Sequence, residues 1–153
     1  MGYRSTRECV LDLERHGHLV RIPDEVSPHL EMAEIQRRVY AAGGPALLFE
    51  RVAGSSFPAV SNLFGTVERG RFIFRDTLER VKQVIRLKAD PTAVWRAPFS
   101  YLWAPFFGLR ALPKRVGGGP VFAHRTNISA LPQITSWPDD GGPFVTLPQV
   151  YTE

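Results

Sequence analysis

The order of apolar and polar positions divides this chain into two textures. Up to Asn62, apolar residues recur at the spacings of short helices and strands; after Leu112, Gly and Pro interrupt every apolar run. Ser5-Thr6-Arg7-Glu8 reads as a capping box, with the Ser hydroxyl and Glu carboxylate satisfying free N–H groups at a helix start. Cys9, Val10 and Leu13 give that helix an apolar face, and Gly17 supplies the left-handed residue that ends it. Residues 18–22 alternate like a short strand. Ser27-Pro28 predicts a second helix, with Ser as cap and Pro at the first position, where its missing N–H is harmless. Leu30, Ile35, Val39 and Ala42 form its inward stripe, and Gly43-Gly44 stops it. Residues 46–49 read as an apolar strand, Gly54-Ser55-Ser56 as a turn, and residues 57–62 as the antiparallel partner.

Thr66 caps a short helix that runs to Phe74, and Asp76-Thr77-Leu78-Glu79 is a second capping box. The helix it opens carries Leu78, Val81, Val84 or Ile85, and Lys88 at helical spacing, and Asp90-Pro91 ends it. From Val94 to Leu112 the chain is aromatic, with Trp95, Phe99, Tyr101, Trp103, Phe106 and Phe107 broken by Pro98 and Pro105. That run reads as core or an interdomain face, because base-stacking platforms occupy open basic grooves. Gly117-Gly118-Gly119-Pro120 is a flexible joint. Short β-prone pieces follow at 120–123 and 144–147, with the Asp140-Gly141 turn ahead of the second. One strand cannot make a sheet alone. Residues 117–153 therefore read as a hinge and the opening of a second domain that this chain does not finish. In the isolated chain, residues 1–112 are expected to fold as a unit and those from Gly117 onward to be mobile.

The 153 residues, 44% of them hydrophobic, suffice for one domain with a real core. The single cysteine, Cys9, excludes an internal disulfide and fits a reducing, cytoplasmic compartment. The first residues are polar and charged, without the apolar stretch of a signal peptide, and the run 97–112 is too short to span a membrane. Net charge is +4, with basic residues concentrated from Arg69 through Arg86 and Lys88 to Arg115. This is either a solvated face or a surface for phosphates or an acidic partner. No motif for reading nucleic acid accompanies it, so nucleic acid is not an expected partner.

Most motif chemistry is excluded. The Gly117 run lacks both the Lys-Ser/Thr of a phosphate loop and the G-x-G-x-x-G of a dinucleotide loop. His16 and His18 share a strand face rather than the i, i+4 spacing of a helical metal pair, and no Gly-x-Ser-x-Gly elbow occurs. Cys9 reads as a core thiol and Asp139-Asp140 as part of a turn; His124 beside Arg125 lies close to the joint. Nothing assembles a nucleophile, a base and an electrostatic stabiliser.

Three segments in order nonetheless resemble one family. Gly43-Gly44-Pro45-Ala46-Leu47-Leu48-Phe49-Glu50, Ser61-Asn62-Leu63-Phe64-Gly65-Thr66, and Leu131-Pro132-Gln133-Ile134-Thr135-Ser136-Trp137-Pro138 with Asp140-Gly141-Gly142-Pro143-Phe144 are similar to the N-terminal part of UbiD-like decarboxylases. The resemblance covers essentially the whole chain. It implies a small mixed α/β (α+β) domain over 1–116, then from 117 the first strand or strands of an incomplete split β-barrel. It implies reversible, non-oxidative decarboxylation of an aromatic or α,β-unsaturated acid on prenylated FMN, with a divalent metal (Mn) and potassium. In ubiquinone-pathway members the acid is a polyprenylated hydroxybenzoate. A flavin prenyltransferase supplies the cofactor, and full-length members are homo-oligomers. The family's metal ligands and proton-moving residues fall beyond Glu153, so no catalytic or metal-binding residue is assigned in this chain. Thr146 and Leu147, on a strand resembling the one beside the flavin, are the candidate cofactor contacts. The expected partner is the remainder of the decarboxylase. The alternative is a non-catalytic subunit docking on a separate catalytic chain through the aromatic and basic region.

Overall fold

The computed structural model describes residues 2–90, 92, 99, 102, 106, 108–109, 112–113, 117–119 and 123–144. Packing groups the chain into two compact units: Tyr3–Ile73 with Thr126–Glu153, and Met1–Gly2 with Phe74–Arg125.

The first unit is built on a three-stranded mixed sheet in the order β1-β2-β3. Helix α1 (Thr6–Arg15) leads into β1 (Leu19–Val26), α2 (Glu31–Ala41), β2 (Ala46–Val52), β3 (Ala59–Ser61) and α3 (Val67–Ile73). The β1–β2 pair is parallel, as a strand–helix–strand crossover requires, and β2–β3 is an antiparallel hairpin. The mixed α/β class expected from the sequence is the observed one. β2 lies in the middle, and its side chains alternate between two cores. Ala46 and Leu48 join Cys9, Val10, Leu13, Leu19 and Ile73 on one face; Leu47 and Phe49 join Val26, Met32 and Val52 on the other. This two-sided burial is why Ala46-Leu47-Leu48-Phe49 is an unbroken apolar run. Pro23 interrupts β1 where its register with β2 shifts, between Ile22 and Glu25. An outer strand tolerates a proline there because one side of its backbone has no ladder to lose.

The start of α1 matches its sequence signal. Ser5 Oγ accepts from Glu8 N (3.2 Å), and Glu8 Oε2 accepts from Arg4 N (2.7 Å), so the box closes one residue early. At its end Gly17, at φ +72°, lets His18 N reach Leu13 O at 2.8 Å. α2 departs from expectation: it begins at Glu31, not Pro28. Ser27 forms a turn instead, its Oγ accepting from His29 N and its own N–H donating to Glu31 Oε2. The cap position falls to Leu30, whose backbone sits at φ 64°.

Residues 126–144 hydrogen-bond to the residues of the sheet unit. His29 and Thr135 form a parallel β-bridge, through Leu30 N to Thr135 O (2.9 Å) and Thr135 N to Pro28 O (3.1 Å). Ile134 packs on the Phe49 core, and Ser55 Oγ donates to Ala130 O at 2.8 Å.

In the second unit α4 (Arg75–Ala89) is the one helix with an assigned span among the described residues. Asp76 is not its cap; that position is Phe74, whose carbonyl accepts from Thr77 N and Leu78 N. No α4 residue is buried, and Val81, Val84 and Ile85 are exposed. Of the aromatic run, Trp95, Tyr101, Trp103 and Phe107 lie outside the described residues. Phe99 and Phe106 are 84% and 74% exposed, so these two are not core within this chain. No helix among the described residues is long and apolar enough to cross a membrane.

Candidate functional site

The three segments singled out in the sequence converge on one place in the sheet unit. Asn62 follows β3 and takes the left-handed conformation (φ 57°), which asparagine tolerates better than most residues. That turn points its Nδ2 at Pro45 O (2.8 Å) and Gly44 O (3.3 Å), tying the second segment to the first. Thr66 Oγ1 accepts from Arg69 N at 3.1 Å and starts α3, which delivers the Arg69 side chain into the same corner. Arg69 is only 3% exposed. Its guanidinium donates to Leu63 O (3.0 Å), Gly44 O (3.0 Å) and Asn62 O (2.7 Å). Gly65 closes the corner: a Cβ there would lie 1.9 Å from Asn62 Oδ1. Gly44 has the same kind of constraint, with Val39 Cγ1 2.8 Å from where a Cβ would be.

Over this corner opens a cleft of about 410 Å³, lined by Gln36, Tyr40, Ser61, Asn62, Gly65 and Ser136 among others. The third segment thus forms its wall through Ser136. An adjoining cleft of about 490 Å³ adds Leu30, Arg37 and Trp137. Asp140 shapes that wall: its Oδ2 accepts from Ser136 N (3.0 Å) and Trp137 N (2.9 Å), the turn role its Pro/Gly setting implies. The hydroxyl of Ser61, at the sheet end of the cleft, is buried without a hydrogen-bond partner. The lining of the cleft over the corner is uncharged and mixed: Gln36, Tyr40, Ser61, Asn62 and Ser136 offer hydrogen bonds beside the apolar Val60, Leu63 and Phe64. Among the described residues that line it there is no acid–base pair with which to move a proton.

Arg69 belongs to the basic run of the sequence, yet it is not part of a basic surface. Burial lowers its pKa below the ordinary arginine value. Its donors are spent on backbone carbonyls, so it braces the corner instead of facing a ligand. The signal available was its spacing: Arg69 and Ile73 are one helical turn apart, and Ile73 is buried in the α1 core. Arg71, Arg80, Lys82, Arg86 and Lys88 are exposed.

His16 and His18 both pack against Phe72. Their rings lie 4.9 and 4.6 Å from the Phe72 ring, and His16 Nδ1 is 2.8 Å from Asp12 O. Cys9 is buried in the α1 core, and His124 and Arg125 are exposed. Among the described residues there is no group of three or more His, Cys, Asp or Glu able to hold a metal ion. Thr146 and Leu147 lie outside the described residues.

The Glu34 carboxylate beside the larger cleft is held at a pKa of about 2, by hydrogen bonds from Arg37 and then Arg38. A depressed carboxylate contributes its stabilisation above the ordinary value of 4.5 and loses it as pH falls towards 2. An NMR titration of the Glu34 carboxyl carbon is expected to show that low midpoint, and Arg37→Gln with Arg38→Gln to return it to the ordinary range. Because the trio is exposed, little change in global stability should accompany it.

Comparison with known proteins places the chain in a class. The family model described as the 3-octaprenyl-4-hydroxybenzoate carboxy-lyase N-terminal domain matches residues 10–88, and that of the Rift-related domain of the same carboxy-lyase matches residues 115–153. The chain belongs to the UbiD family. It is 44% identical to an uncharacterized protein of Chlamydia trachomatis, over 97% of this chain and 26% of that one. It is 41% identical to a protein of Chlamydia pneumoniae named as a 4-hydroxybenzoate decarboxylase subunit, over 92% of this chain and 26% of that one. The chain therefore spans about a quarter of the length of the curated relatives it matches. Among solved structures it is similar to a vanillic acid decarboxylase of Sedimentibacter hydroxybenzoicus, at 30% identity and a TM-score of 0.45, covering 47% of this chain and 16% of that one.

Proposed function

We propose that this chain is the N-terminal part of a UbiD-like carboxy-lyase, whose complete form decarboxylates an aromatic or α,β-unsaturated acid reversibly and without net oxidation. The observation that carries this reading is the pair of family matches, 10–88 and 115–153, in family order on one chain. The complete enzyme would use prenylated FMN, supplied by a flavin prenyltransferase, with a divalent metal and potassium, and would assemble as a homo-oligomer in the cytoplasm. A phenolic acid is the favoured substrate class, since a relative 41% identical is named for 4-hydroxybenzoate. A polyprenylated hydroxybenzoate of ubiquinone biosynthesis belongs to the same class.

The described residues do not fit the metal site of such an enzyme, because they offer no cluster of ligands. No step of the reaction is therefore assigned to them, and the chain alone is proposed to be inactive. Its own work is architectural: Asn62 and Arg69 lock the corner, and Asp140 holds the wall that leads to Phe144. Thr146 and Leu147 are proposed to pass beside the flavin. The second reading, a polypeptide that docks on a separate catalytic chain, gains support from the same relative, which is named as one subunit of a decarboxylase.

The test is an assay of the purified chain with prenylated FMN, Mn²⁺, K⁺ and a panel of hydroxybenzoates, following release of CO₂. No turnover is expected. Turnover by this chain alone would overturn the assignment of catalysis to the rest of the enzyme.

A further inference from the structure

The two family matches leave a gap between residues 88 and 115 and assign everything after it to the second domain. The packing follows a different line: residues from Thr126 onward group with Tyr3–Ile73. We infer that residues 126–144 are a docking segment of the N-terminal α/β unit, seated on it without help from the covalent connection through 74–125.

The seat is specific. Leu30 takes a positive φ, a conformation that L side chains rarely adopt, and its N–H donates to Thr135 O at 2.9 Å. The backbone strain at the mouth of α2 thus coincides with a bond to the segment. Thr135, 9% exposed, returns a bond to Pro28 O and completes the bridge to His29. Ile134 packs among the Phe49 core residues, and Ser55 Oγ holds Ala130 O from the hairpin turn. The segment also braces itself: Gln133 Nε2 donates to Ile128 O and Leu131 O, and Asp140 takes two backbone N–H groups. Phe144 N then donates to Ile134 O at 2.9 Å, folding the end of the segment back onto its anchored middle.

Two consequences follow. The Gly117-Gly118-Gly119 joint lies inside the excursion 74–125, so bending there does not by itself free residues 126–144. Granted the decarboxylase reading above, the point from which Thr146 and Leu147 depart is set by the α/β unit, through Leu30 and Thr135, rather than by the joint. These are positioning residues.

The experiment is a cut. A specific protease site replaces Gly117-Gly118-Gly119 in the full chain, and the purified protein is cleaved. The piece carrying residues 120–153 is expected to stay with the remainder on size-exclusion chromatography, with the Leu30, Thr135 and Phe144 amides still slow to exchange. Separation of the pieces, or exchange of these amides at the free-peptide rate, would overturn the inference. Ile134→Asp in the cleavable chain is expected to weaken re-association about tenfold or more, because it puts a charge where an apolar side chain packs. Undiminished re-association would show that the Ile134 contact does not hold the segment. The experiment uses neither cofactor nor substrate. A chain that stays together yet proves unrelated to decarboxylation sinks the reading of function alone, and one that falls apart sinks the docking alone.

Discussion

Arg69→Met is expected to lower the unfolding free energy of the chain by about 3–5 kcal/mol, on the order of half a typical domain's stability. The side chain is 3% exposed and joins three carbonyls from different parts of the chain: Gly44 before β2, and Asn62 and Leu63 after β3. Methionine fills much of the volume but donates nothing. The Leu63 carbonyl would lose its guanidinium donor, while Gly44 O would keep only the long 3.3 Å bond from Asn62 and Asn62 O only the 3.3 Å bond from Gly65 N. Each buried carbonyl left unpaired costs about 1–3 kcal/mol. Arg69→Lys recovers only part of the loss, because a single ammonium cannot span the directions a planar guanidinium fork reaches. Urea titration of the three proteins by circular dichroism measures this. A loss below about 1 kcal/mol for Arg69→Met would mean that the corner is not the keystone described.

Gly65→Ala is expected to cost about 2–4 kcal/mol for a different reason, overpacking against groups that cannot retreat. The new Cβ would stand 1.9 Å from Asn62 Oδ1, 2.6 Å from Asn62 Cγ and 2.7 Å from Arg69 Nη2. Asn62 would have to swing away and surrender its bonds to Gly44 and Pro45, while Arg69 is pushed off Asn62 O. The mechanism makes a sharper statement than the magnitude. Asn62→Gly removes the obstructing side chain and keeps the left-handed backbone, so Gly65→Ala should cost distinctly less in that background. A double-mutant cycle with a coupling of at least about 1 kcal/mol is the expected result. Strict additivity would place the cost elsewhere.

What the sequence could show is tied to local rules. The Ser5 box, the Gly17 stop, the Thr66 cap and the doubly buried run Ala46-Leu47-Leu48-Phe49 each leave a signature within a few residues, and each is found. At the start of α2 the departure has a physical cause: a distant partner overrides a local preference. Ser27-Pro28 is a sound helix start in isolation, but the bridge to Thr135 claims Pro28 O and Leu30 N, and α2 begins at Glu31. At α4 the reason is local: the helix starts at Arg75 with Phe74 in the cap position, so Asp76 falls inside the first turn. The contacts of residues 126–144 leave no comparable signature, because prolines and glycines deny the segment regular structure. Their bonds to 28–30 and Ser55 span about a hundred residues or fewer of intervening chain and leave no periodic trace. The corner itself is half legible. Asn62 and Gly65 lie in a segment marked by its resemblance to the family, whereas Arg69 is hidden within a run of exposed cations. The chemistry is not legible from composition or spacing at all; only the family likeness points to it.

On the reading proposed above, this chain is the architectural front of a carboxy-lyase and depends on further segments for chemistry. A chimera tests that most directly. This chain replaces the matching quarter of the Chlamydia pneumoniae decarboxylase polypeptide, to which it is 41% identical. Decarboxylation of 4-hydroxybenzoate is then measured for the chimera, for its parent and for the chain alone, all supplied with prenylated FMN, Mn²⁺ and K⁺. The chimera is expected to retain cofactor-dependent release of CO₂ within about tenfold of its parent, a difference of about 1.4 kcal/mol, while the chain alone releases none. A folded, flavin-loaded chimera without activity beside an active parent, or release by the chain alone, would contradict it.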